Sequence, residues 1–283
     1  MRYRRIGGVK VSAIGLGGMP LSIPGRPSRE QAIKTIHAAL DAGITLIDTA
    51  DAYTTSADGP GHSEELIAEA LRGRSEEVLV ATKGGHIFAD RGPWGQNGDP
   101  AYLKGAARES LRRLGGDSIG LYQYHRPDPK VPYADSIGAL QELHDEGIIR
   151  MIGISNVSIE QIAEADHILG GRLVSVQNQF SPRFRSSEGE LDYCAEHEIA
   201  FLPWSPLGGI GRAGGVGADH SAIAIVAGDL GVSAQQVTLA WELALQHCTI
   251  PIPGASRPAS IRNSALAADL VLTSQQIAAI SAA

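Results

Sequence analysis

Four side chains of acid, phenol, amine and imidazole type lie at or just after three successive apolar runs of the sequence. Asp48 follows the run that ends at Ile47, and Tyr53 comes a few residues later. Lys83 and His125 follow the next two apolar runs. If these runs are parallel strands of a barrel, the residues at their carboxyl ends meet at one end of that barrel. We therefore expect the four side chains to converge on one cavity.

This mixture of groups suits the reduction of a carbonyl, which needs a hydride on carbon and a proton on oxygen. A free phenol has a pKa of about 10, and a nearby ammonium favours the phenolate and lowers that pKa. We therefore interpret Tyr53 as the proton donor and Lys83 as the neighbour that lowers its pKa. Asp48 would hold the lysine charged and oriented, and the imidazole of His125 would position the carbonyl oxygen.

Each of these residues taken alone also has a purely structural interpretation. Asp48 could cap the turn that follows it, and Tyr53 and Lys83 could be ordinary loop side chains. His125 could be a hydrogen-bonded core histidine. Their combination at one expected face favours catalysis. A metal-dependent barrel hydrolase that uses Asp48 and His125 is an alternative, although the nine histidines form neither a His-x-His nor a His-Glu-x-x-His pattern.

Short apolar runs that alternate with helical patterns would position these side chains. Each run is rich in Val, Ile or Leu, which is typical of strands buried on both faces. Residues 4–6 and 10–12 flank Gly7-Gly8, a dipeptide that suits a two-residue hairpin turn. The pattern predicts the α/β class, a (β/α)8 TIM barrel with an N-terminal β-hairpin, as a single domain over residues 1–283. The predicted barrel strands are residues 13–16, 44–47, 78–81, 119–123, 149–152, 173–176, 200–202 and 249–250.

Helix starts and long loops complete the predicted organisation. Ser28 and Ser233 each open a capping-box signature, and Asp99 precedes a proline at the first helical position. Two long segments, residues 84–98 and 206–219, follow predicted strands. They are therefore expected at the C-terminal face, where barrel enzymes place their chemistry.

The sequence resembles the aldo-keto reductase family over nearly its whole length. The family's catalytic tetrad matches Asp48, Tyr53, Lys83 and His125. Similar motifs also follow in the family's order: Gly61-His62-Ser63-Glu64, Gly153-Ile154-Ser155-Asn156, Val176-Gln177-Asn178-Gln179-Phe180 and Pro203-Trp204-Ser205-Pro206-Leu207-Gly208. The resemblance implies an NADPH-dependent oxidoreductase that reduces aldehydes or ketones to alcohols, with Tyr53 as the general acid.

The same resemblance implies which residues bind NADP(H). The matching positions are Ser155, Asn156 and Gln177 at the nicotinamide carboxamide, Trp204 stacked on the nicotinamide ring, and Ser205, Leu207 and Gly209 along the pyrophosphate. Trp204 could instead be a core tryptophan. The segment that ends in Ser256 and Arg257 resembles the family's adenine-ribose segment.

The 2′-phosphate of NADP is expected beside Ser256 and Arg257. A guanidinium can bind phosphate bidentately, and the start of a helix adds partial positive charge. Arg262 is the second candidate, and either arginine could instead be a solvated surface charge. The family often carries Glu-Asn near adenine, whereas this chain has Asn263-Ser264. Which of these two residues contacts adenine stays open.

One departure from the family concerns the substrate side of the site. Some members carry a tryptophan directly after the histidine, whereas this chain has Arg126. We therefore expect a substrate wall that is less aromatic than in those members.

Composition and charge set the remaining expectations. The net charge is −7 and no long basic run occurs, so neither nucleic acid nor an anionic membrane is expected as a partner. The basic start is not followed by a signal-peptide pattern, and no run of about 18 apolar residues occurs. We expect a cytoplasmic monomer that acts on a small carbonyl compound, with Cys194 and Cys248 as free thiols and no metal site. A nicotinamide-binding regulatory or sensor protein with slow turnover is the alternative on the same fold.

Overall fold

The N-terminal residues form the predicted hairpin. In the computed structural model, which describes residues 1–89 and 94–282, strand β1 (Tyr3–Ile6) pairs antiparallel with β2 (Val9–Ser12). Gly7 in the turn has a φ of +53°, a left-handed conformation that glycine adopts readily. Ile6 and Val11 are buried in a cluster with side chains from the main sheet, so the hairpin packs against the interior of that sheet.

Seven parallel strands form the main sheet. The strands that follow the hairpin are β3 (Leu16–Gly17), β4 (Leu46–Asp48), β5 (Leu79–Gly84), β6 (His86–Ile87), β7 (Gly95–Gln96), β8 (Leu121–Tyr124), β9 (Ile152–Ser155), β10 (Leu173–Gln177) and β11 (Ala200–Phe201). The main sheet has the order β11-β10-β9-β8-β5-β4-β3, and β6 and β7 form a separate small hairpin. Because chain order and spatial order agree in the main sheet, each connection returns beside the strand it left, as in a barrel.

Residues 249–254 join the two edges of this sheet. Thr249 bridges to β11 and Gly254 bridges to β3, both in parallel. The amide of Ile250 donates to the carbonyl of Phe201 at 2.8 Å. On the other side, the carbonyl of Pro251 accepts from the amide of Gly15, directly before β3, at 2.9 Å, and the carbonyl of Pro253 accepts from the amide of Gly17 in β3 at 3.0 Å. The arrangement fits the predicted (β/α)8 barrel, but the eighth strand is irregular because its prolines have no N–H for a regular ladder.

Several strands begin later than the sequence predicts. The fifth barrel strand is predicted at residues 149–152, whereas β9 is Ile152–Ser155. The first is predicted at residues 13–16, whereas β3 is Leu16–Gly17. Ile14 and Ile149 are fully or almost fully buried although they lie outside these strands. Burial therefore extends further toward the start of each strand than the pairing does, and hydrophobicity alone places the strand too early.

Helices cover the outside of the sheet. They are α1 (Arg29–Asp41), α2 (His62–Leu71), α3 (Pro100–Leu114), α4 (Tyr133–Asp145), α5 (Ile159–Ile168), α6 (Glu188–Glu196), α7 (Val216–Asp219), α8 (Ser221–Leu230), α9 (Ala234–Leu245), α10 (Pro258–Leu266) and α11 (Ser274–Ser281). One buried cluster lies between the sheet and these helices, and a second fills the inside of the sheet. This two-layered core is typical of a TIM barrel.

The predicted helix caps form, but the capping boxes are only half made. Ser28 and Ser233 each accept a hydrogen bond from the backbone amide three residues later. The glutamine half of each box is absent because both glutamine side chains have other partners. The Nε2 of Gln31 donates to the carbonyl of Ser256 at 2.8 Å. The Nε2 of Gln236 donates to Oδ1 of Asn263 at 2.9 Å.

Both cysteines, Cys194 and Cys248, are free and buried. Over residues 1–89 and 94–282, no single helix is long and apolar enough to cross a membrane. The pair Ser221–Leu230 and Ala234–Leu245 meets the length and composition criteria only when taken together, and it is bent by 104°.

Glu242 on α9 is a buried carboxyl that the structure does not pair. It is 0 % exposed, and neither of its carboxyl oxygens has a hydrogen-bond partner among the described residues. Burial raises the pKa of Glu242 well above its usual value. We predict that Glu242→Leu stabilises the protein by about 1–3 kcal/mol in acid, because it removes an unsatisfied buried polar group. Urea unfolding measures this change.

The stabilisation should grow with pH. The folded-state pKa of Glu242 lies above its unfolded value of 4.5, so wild-type stability falls as the pH rises past that value, by up to about 1.4 kcal/mol per pH unit. The leucine variant lacks this loss. Glu164→Leu, at an exposed position of α5, is the matched control and should leave stability nearly unchanged at every pH. A wild-type protein more stable than the Glu242 variant at neutral pH would contradict this account.

Candidate active site

The four predicted catalytic residues meet at the carboxyl ends of β4, β5 and β8. Asp48 is the last residue of β4, and Lys83 lies next to the end of β5. His125 directly follows β8, and its amide donates to the carbonyl of Gly84 at 2.9 Å. Tyr53 lies in the connection after β4. All four side chains are buried, with exposures between 0 and 7 %.

Lys83 connects the acid and the phenol. Its Nζ donates to Oδ1 of Asp48 at 2.6 Å and to the hydroxyl of Tyr53 at 3.1 Å. A third bond runs to the carbonyl of Thr49 at 2.8 Å. An ammonium has three protons, so every proton of this buried cation has an acceptor. The lysine is thereby fixed in one orientation beneath the phenol.

Burial dominates the electrostatics of the phenol. Burial raises the pKa of Tyr53, and the opposing effect of the Lys83 charge does not outweigh it. Lys83 lowers the phenol pKa in the expected direction, but burial raises it by more, because the pocket desolvates the phenolate. Burial by itself would lower the pKa of Lys83, but the charge of Asp48 and the hydrogen bonds to Asp48 and Tyr53 raise it overall. At neutral pH the site holds a protonated phenol beside a charged lysine.

The second oxygen of Asp48 is bonded by two glutamines. Its Oδ2 accepts from Nε2 of Gln177 at 2.8 Å and from Nε2 of Gln123 at 3.2 Å. Sequence reasoning missed Gln123, although a polar residue within the otherwise apolar and aromatic β8 was a usable signal. Gln177, predicted to bind the nicotinamide carboxamide, bonds Asp48 through its Nε2. These amides help to keep the buried carboxylate ionised and oriented.

His125 lies edge-on to the ring of Tyr53, with ring centroids 5.7 Å apart and an interplanar angle of 83°. Its Nδ1 is buried and has no partner among the described residues. Burial lowers the pKa of His125 well below its usual value, and the positive charges of Lys83 and Arg126 act in the same direction. The imidazole is therefore neutral at physiological pH. A neutral ring can donate one hydrogen bond to a carbonyl oxygen placed beside the phenol.

The predicted carboxamide residues form one network at the ends of β9 and β10. The hydroxyl of Ser155 donates to the carbonyl of Gln177 at 2.6 Å. Nδ2 of Asn156 donates to the carbonyl of His125 and to Oγ of Ser155, both at 2.9 Å. Asn156 has a φ of +59°, a strained conformation for a residue other than glycine. This network ties the predicted nicotinamide side of the site to the histidine.

Trp204 and the loop after it follow the end of β11, beside the segment that follows β10. Trp204 is partly exposed, and its indole N–H is buried without a partner among the described residues. Two of the predicted pyrophosphate residues have positive φ, +55° at Ser205 and +108° at Gly209, while Leu207 is 8 % exposed. Positive φ is unfavourable at Ser205 but not at glycine, and backbone strain such as that of Ser205 concentrates at ligand-binding loops. An unpaired indole N–H and a loop of this shape are compatible with a bound dinucleotide.

The predicted 2′-phosphate residues lie at the start of α10. Arg257 occupies the N-cap position, and both Arg257 and Arg262 are exposed. Neither arginine forms an ion pair with the described part of the chain. The backbone carbonyl of Ser256 accepts from Gln31, as noted above. Asn263 is hydrogen-bonded to Ser233 and Gln236, and Ser264 is buried. The arginines of α10 are therefore more accessible to a ligand than Asn263 or Ser264.

The β6–β7 hairpin supplies an aromatic wall that the sequence analysis did not predict. The ring of Trp94 lies 6.5 Å from that of Tyr53 and 5.0 Å from that of His86. The ring centroid of His86 lies 4.7 Å from that of His125, and the ring centroid of Phe88 lies 5.4 Å from that of Trp94. The expectation of a wall less aromatic than in some family members was inferred from Arg126 alone and did not include these rings. Residues 90–93 of the predicted loop at 84–98 lie outside the described residues.

A second buried charge cluster lies behind the tetrad. Glu64 of α2 accepts from Nε of Arg113 at 2.7 Å and from Oγ1 of Thr82 at 2.6 Å. Burial and the nearby Glu64 raise the pKa of Asp51 to about 8, so Asp51 is neutral at pH 7 and does not compete with Asp48 for the charge of Lys83. Among the residues that the structure describes, no group of three or more His, Cys, Asp or Glu side chains could hold a metal ion.

Comparison with known proteins agrees with this geometry. The Aldo/keto reductase family model matches residues 13–283. The 6-dehydroglucose reductase of Novosphingobium aromaticivorans is 36 % identical, with 93 % of this chain and 89 % of the relative covered. The pyridoxine 4-dehydrogenase of Escherichia coli is 32 % identical, with 97 % and 96 % covered. A crystal structure of an aldo-keto reductase from Klebsiella pneumoniae in complex with NADPH is 28 % identical, has a TM-score of 0.82, and covers 100 % of this chain and 95 % of its own. The chain belongs to the aldo/keto reductase family.

Proposed function

We propose that this protein is an NADPH-dependent oxidoreductase that reduces an aldehyde or ketone to an alcohol, on a single (β/α)8 barrel domain over residues 1–283. The observation that carries the proposal is the contact of one buried ammonium, Lys83, with both Asp48 and Tyr53, next to a neutral His125. We expect the protein to act as a cytoplasmic monomer. The NADPH complex of the Klebsiella pneumoniae relative supports the choice of cofactor.

The residues of this chain have separate roles in the reaction. His125 donates a hydrogen bond to the carbonyl oxygen and positions it within reach of the phenol. Tyr53 gives its proton to that oxygen, and the charge of Lys83 stabilises the phenolate that remains. Asp48, held by Gln123 and Gln177, keeps the lysine charged. When bound, NADPH would supply a hydride to the carbonyl carbon. This hydride and the proton from Tyr53 together convert the carbonyl to an alcohol, and the cofactor is left as NADP+.

The cofactor side of the proposal uses the residues that matched the family. Ser155 and Asn156 would bind the carboxamide, with Gln177 moving from Asp48 or bridging to it. Trp204 would stack on the nicotinamide ring, and Ser205, Leu207 and Gly209 would follow the pyrophosphate. Ser256, Arg257 and Arg262 would receive the 2′-phosphate. The exposed arginines at the start of α10 and the unpaired indole N–H of Trp204 support this placement.

A substrate panel tests the proposal directly. The purified protein is incubated with NADPH and simple aldehydes, ketones, a sugar aldehyde and pyridoxal, and the loss of reduced nicotinamide is followed by absorbance. The last two compounds reflect the names of the two relatives above. We expect turnover with at least the reactive aldehydes. Failure to oxidise NADPH with any of them, in protein shown to bind NADPH, would leave the regulatory alternative instead.

Cofactor choice gives a quantitative prediction. Arg257→Ala should weaken NADPH binding by about 10- to 150-fold, because a hydrogen bond to a charged group contributes roughly 1.5–3 kcal/mol. Binding of NADH, which has no 2′-phosphate, should hardly change. Titration of the intrinsic tryptophan fluorescence measures both affinities. Wild-type protein should bind NADPH more tightly than NADH.

Arg5→Ala provides the matched control. Arg5 is equally exposed but lies in β1, far along the chain from α10, and its removal should leave both affinities unchanged. Equal losses for NADPH and NADH in the Arg257 variant would show that this arginine does not recognise the 2′-phosphate. A wild-type preference for NADH would overturn the assignment of NADP itself.

A further inference from the structure

Arg126 is a partly buried cation at the substrate side of the site. It directly follows His125, and its Nη2 donates to Oδ1 of Asn156 at 3.0 Å. No other hydrogen bond and no ion pair involves its guanidinium within residues 1–89 and 94–282. A guanidinium has five N–H donors, so most of its hydrogen-bonding capacity remains free. Arg113, the buried arginine behind the tetrad, differs because a carboxylate neutralises it.

The groups that face Arg126 across the pocket make its surroundings positive. The pKa values of His86 and His125 are lowered by burial and by the charges of Arg126 and Lys83, and no carboxylate acts on either ring to raise them. Lys83 is already neutralised by Asp48. Arg126 therefore contributes a charge that nothing in the described part of this pocket balances. Partly desolvated charges are costly unless they are paired, which points to a ligand that supplies the counter-charge.

The aromatic wall of the pocket indicates the shape of the ligand that would fit. Trp94, His86 and Phe88 surround the space above Tyr53, with ring centroids 5.0 to 6.5 Å from their neighbours. Flat or compact substrates can pack against such rings. The carbonyl would lie between Tyr53 and His125, and the rest of the substrate would extend along the wall toward the guanidinium.

We propose, on the basis of the reductase function above, that this pocket selects carbonyl compounds that also carry an anionic group, and that Arg126 binds that group. A carboxylate, a phosphate or a phenolate supplies the required chemistry, because each can accept two hydrogen bonds from the guanidinium or pair with its charge. The anionic group occupies a position separate from the one in which the carbonyl oxygen meets Tyr53 and His125. Arg126 is thus a specificity residue and not a proton donor.

A purely structural role for Arg126 makes a different prediction. If its only function were to hold Asn156, its loss would disturb the predicted carboxamide site. The reduction of every substrate would then slow by the same factor. An anion-binding role instead separates charged substrates from neutral ones of the same shape. The comparison of matched substrate pairs therefore distinguishes the two.

The test compares 2-, 3- and 4-carboxybenzaldehyde with their methyl esters in wild type and Arg126→Met. We expect wild type to reduce the best of the three acids with a kcat/KM about 10- to 100-fold above that of its ester. In Arg126→Met the kcat/KM for the acid should fall to that for the ester, mainly through a higher KM. The kcat/KM for the ester should change less than about threefold. Arg126→Lys should retain part of the preference. Arg150→Met, an exposed arginine just before β9, is the control and should behave as wild type.

Further pairs identify which anion is preferred. Glyceraldehyde 3-phosphate against glyceraldehyde tests a phosphate, and pyridoxal against benzaldehyde tests a phenolate beside the aldehyde. Equal rates for charged and neutral members of all pairs in wild type, or equal losses for both in Arg126→Met, would overturn the anion site while leaving the reductase in place. If no aldehyde is reduced, the proposed function fails. Titration of the intrinsic tryptophan fluorescence with terephthalate then decides the anion site, since binding that is lost in Arg126→Met supports the site and equal or absent binding refutes it.

Discussion

Replacement of Tyr53 by phenylalanine should lower the rate of NADPH-dependent aldehyde reduction by about 10²- to 10⁴-fold, the scale of general acid catalysis. The hydroxyl removed is the one that Lys83 contacts at 3.1 Å. The phenyl ring still fills the same space beside His125, so the fold and the pocket shape should persist. Steady-state kinetics with a reactive aldehyde measure the rate, and a fluorescence titration should show nearly unchanged NADPH affinity.

The matched control is Tyr3→Phe, which removes a hydroxyl from an exposed tyrosine of β1. Its rate should equal that of wild type. Turnover of the Tyr53 variant within a few-fold of wild type would eliminate the proton-donor assignment. A large loss of NADPH affinity in step with the rate would instead point to a structural or cofactor role.

The pKa directions of the site add a condition to this interpretation. Burial raises the pKa of Tyr53 and lowers that of His125. The proton donor therefore keeps its proton, and the imidazole stays neutral, throughout the neutral range. The sequence argument expected the ammonium to lower the phenol pKa, and it could not include the desolvation that only the assembled pocket imposes. In the proposed mechanism, Lys83 therefore stabilises the phenolate formed during the reaction and does not create it beforehand.

The tetrad could be predicted because each member sits where an apolar run ends. Once the runs are taken as parallel strands, topology alone brings Asp48, Lys83 and His125 to one face, and Tyr53 follows within the first connection. Gln123 was harder to predict since its role depends on which face of β8 points inward. The bond between Gln177 and Asp48 joins β10 to β4, and a contact between elements so far apart in sequence has no local signal.

The aromatic wall could not be predicted for a different reason. His86 lies in β6 and Trp94 directly precedes β7, and these two-residue strands form a hairpin inside a segment with no hydrophobic period. Such short strands have no sequence pattern of their own, and their position depends on the barrel beneath them. The irregular eighth strand was predicted at residues 249–250, but its length and closure depend on carbonyls of Pro251 and Pro253 that accept from the first strand. The prolines favour an irregular segment, and this segment closes the sheet through its hydrogen bonds to the first and seventh strands.

After the Lys83–Asp48 pair of the candidate site, the pair of Arg113 and Glu64 is the most buried ion pair among the described residues. Glu64 is 0 % exposed, and the Arg113 side chain is 8 % exposed. The pair joins α3 to α2, and Thr82 of β5 donates to the other carboxylate oxygen. Arg113 also packs against Gly61, where an added Cβ would meet its side chain. The contacts of this pair therefore hold two helices and a strand together behind Lys83.

Arg113→Met should destabilise the protein by about 3–5 kcal/mol, because it keeps the aliphatic volume but leaves Glu64 charged and unpaired in the interior. Arg112→Met is the matched control on the same helix. Arg112 pairs with Glu109 at the exposed surface at 3.0 Å, and exposed pairs contribute about 1 kcal/mol or less. Urea unfolding of the two variants under identical conditions measures the difference. Adding Glu64→Leu to Arg113→Met should recover part of the lost stability, since an apolar pair of similar volume often replaces a buried ion pair without loss. If the double variant were as unstable as the sum of the single changes, the instability would come from lost packing against Gly61 and not from an unpaired buried charge.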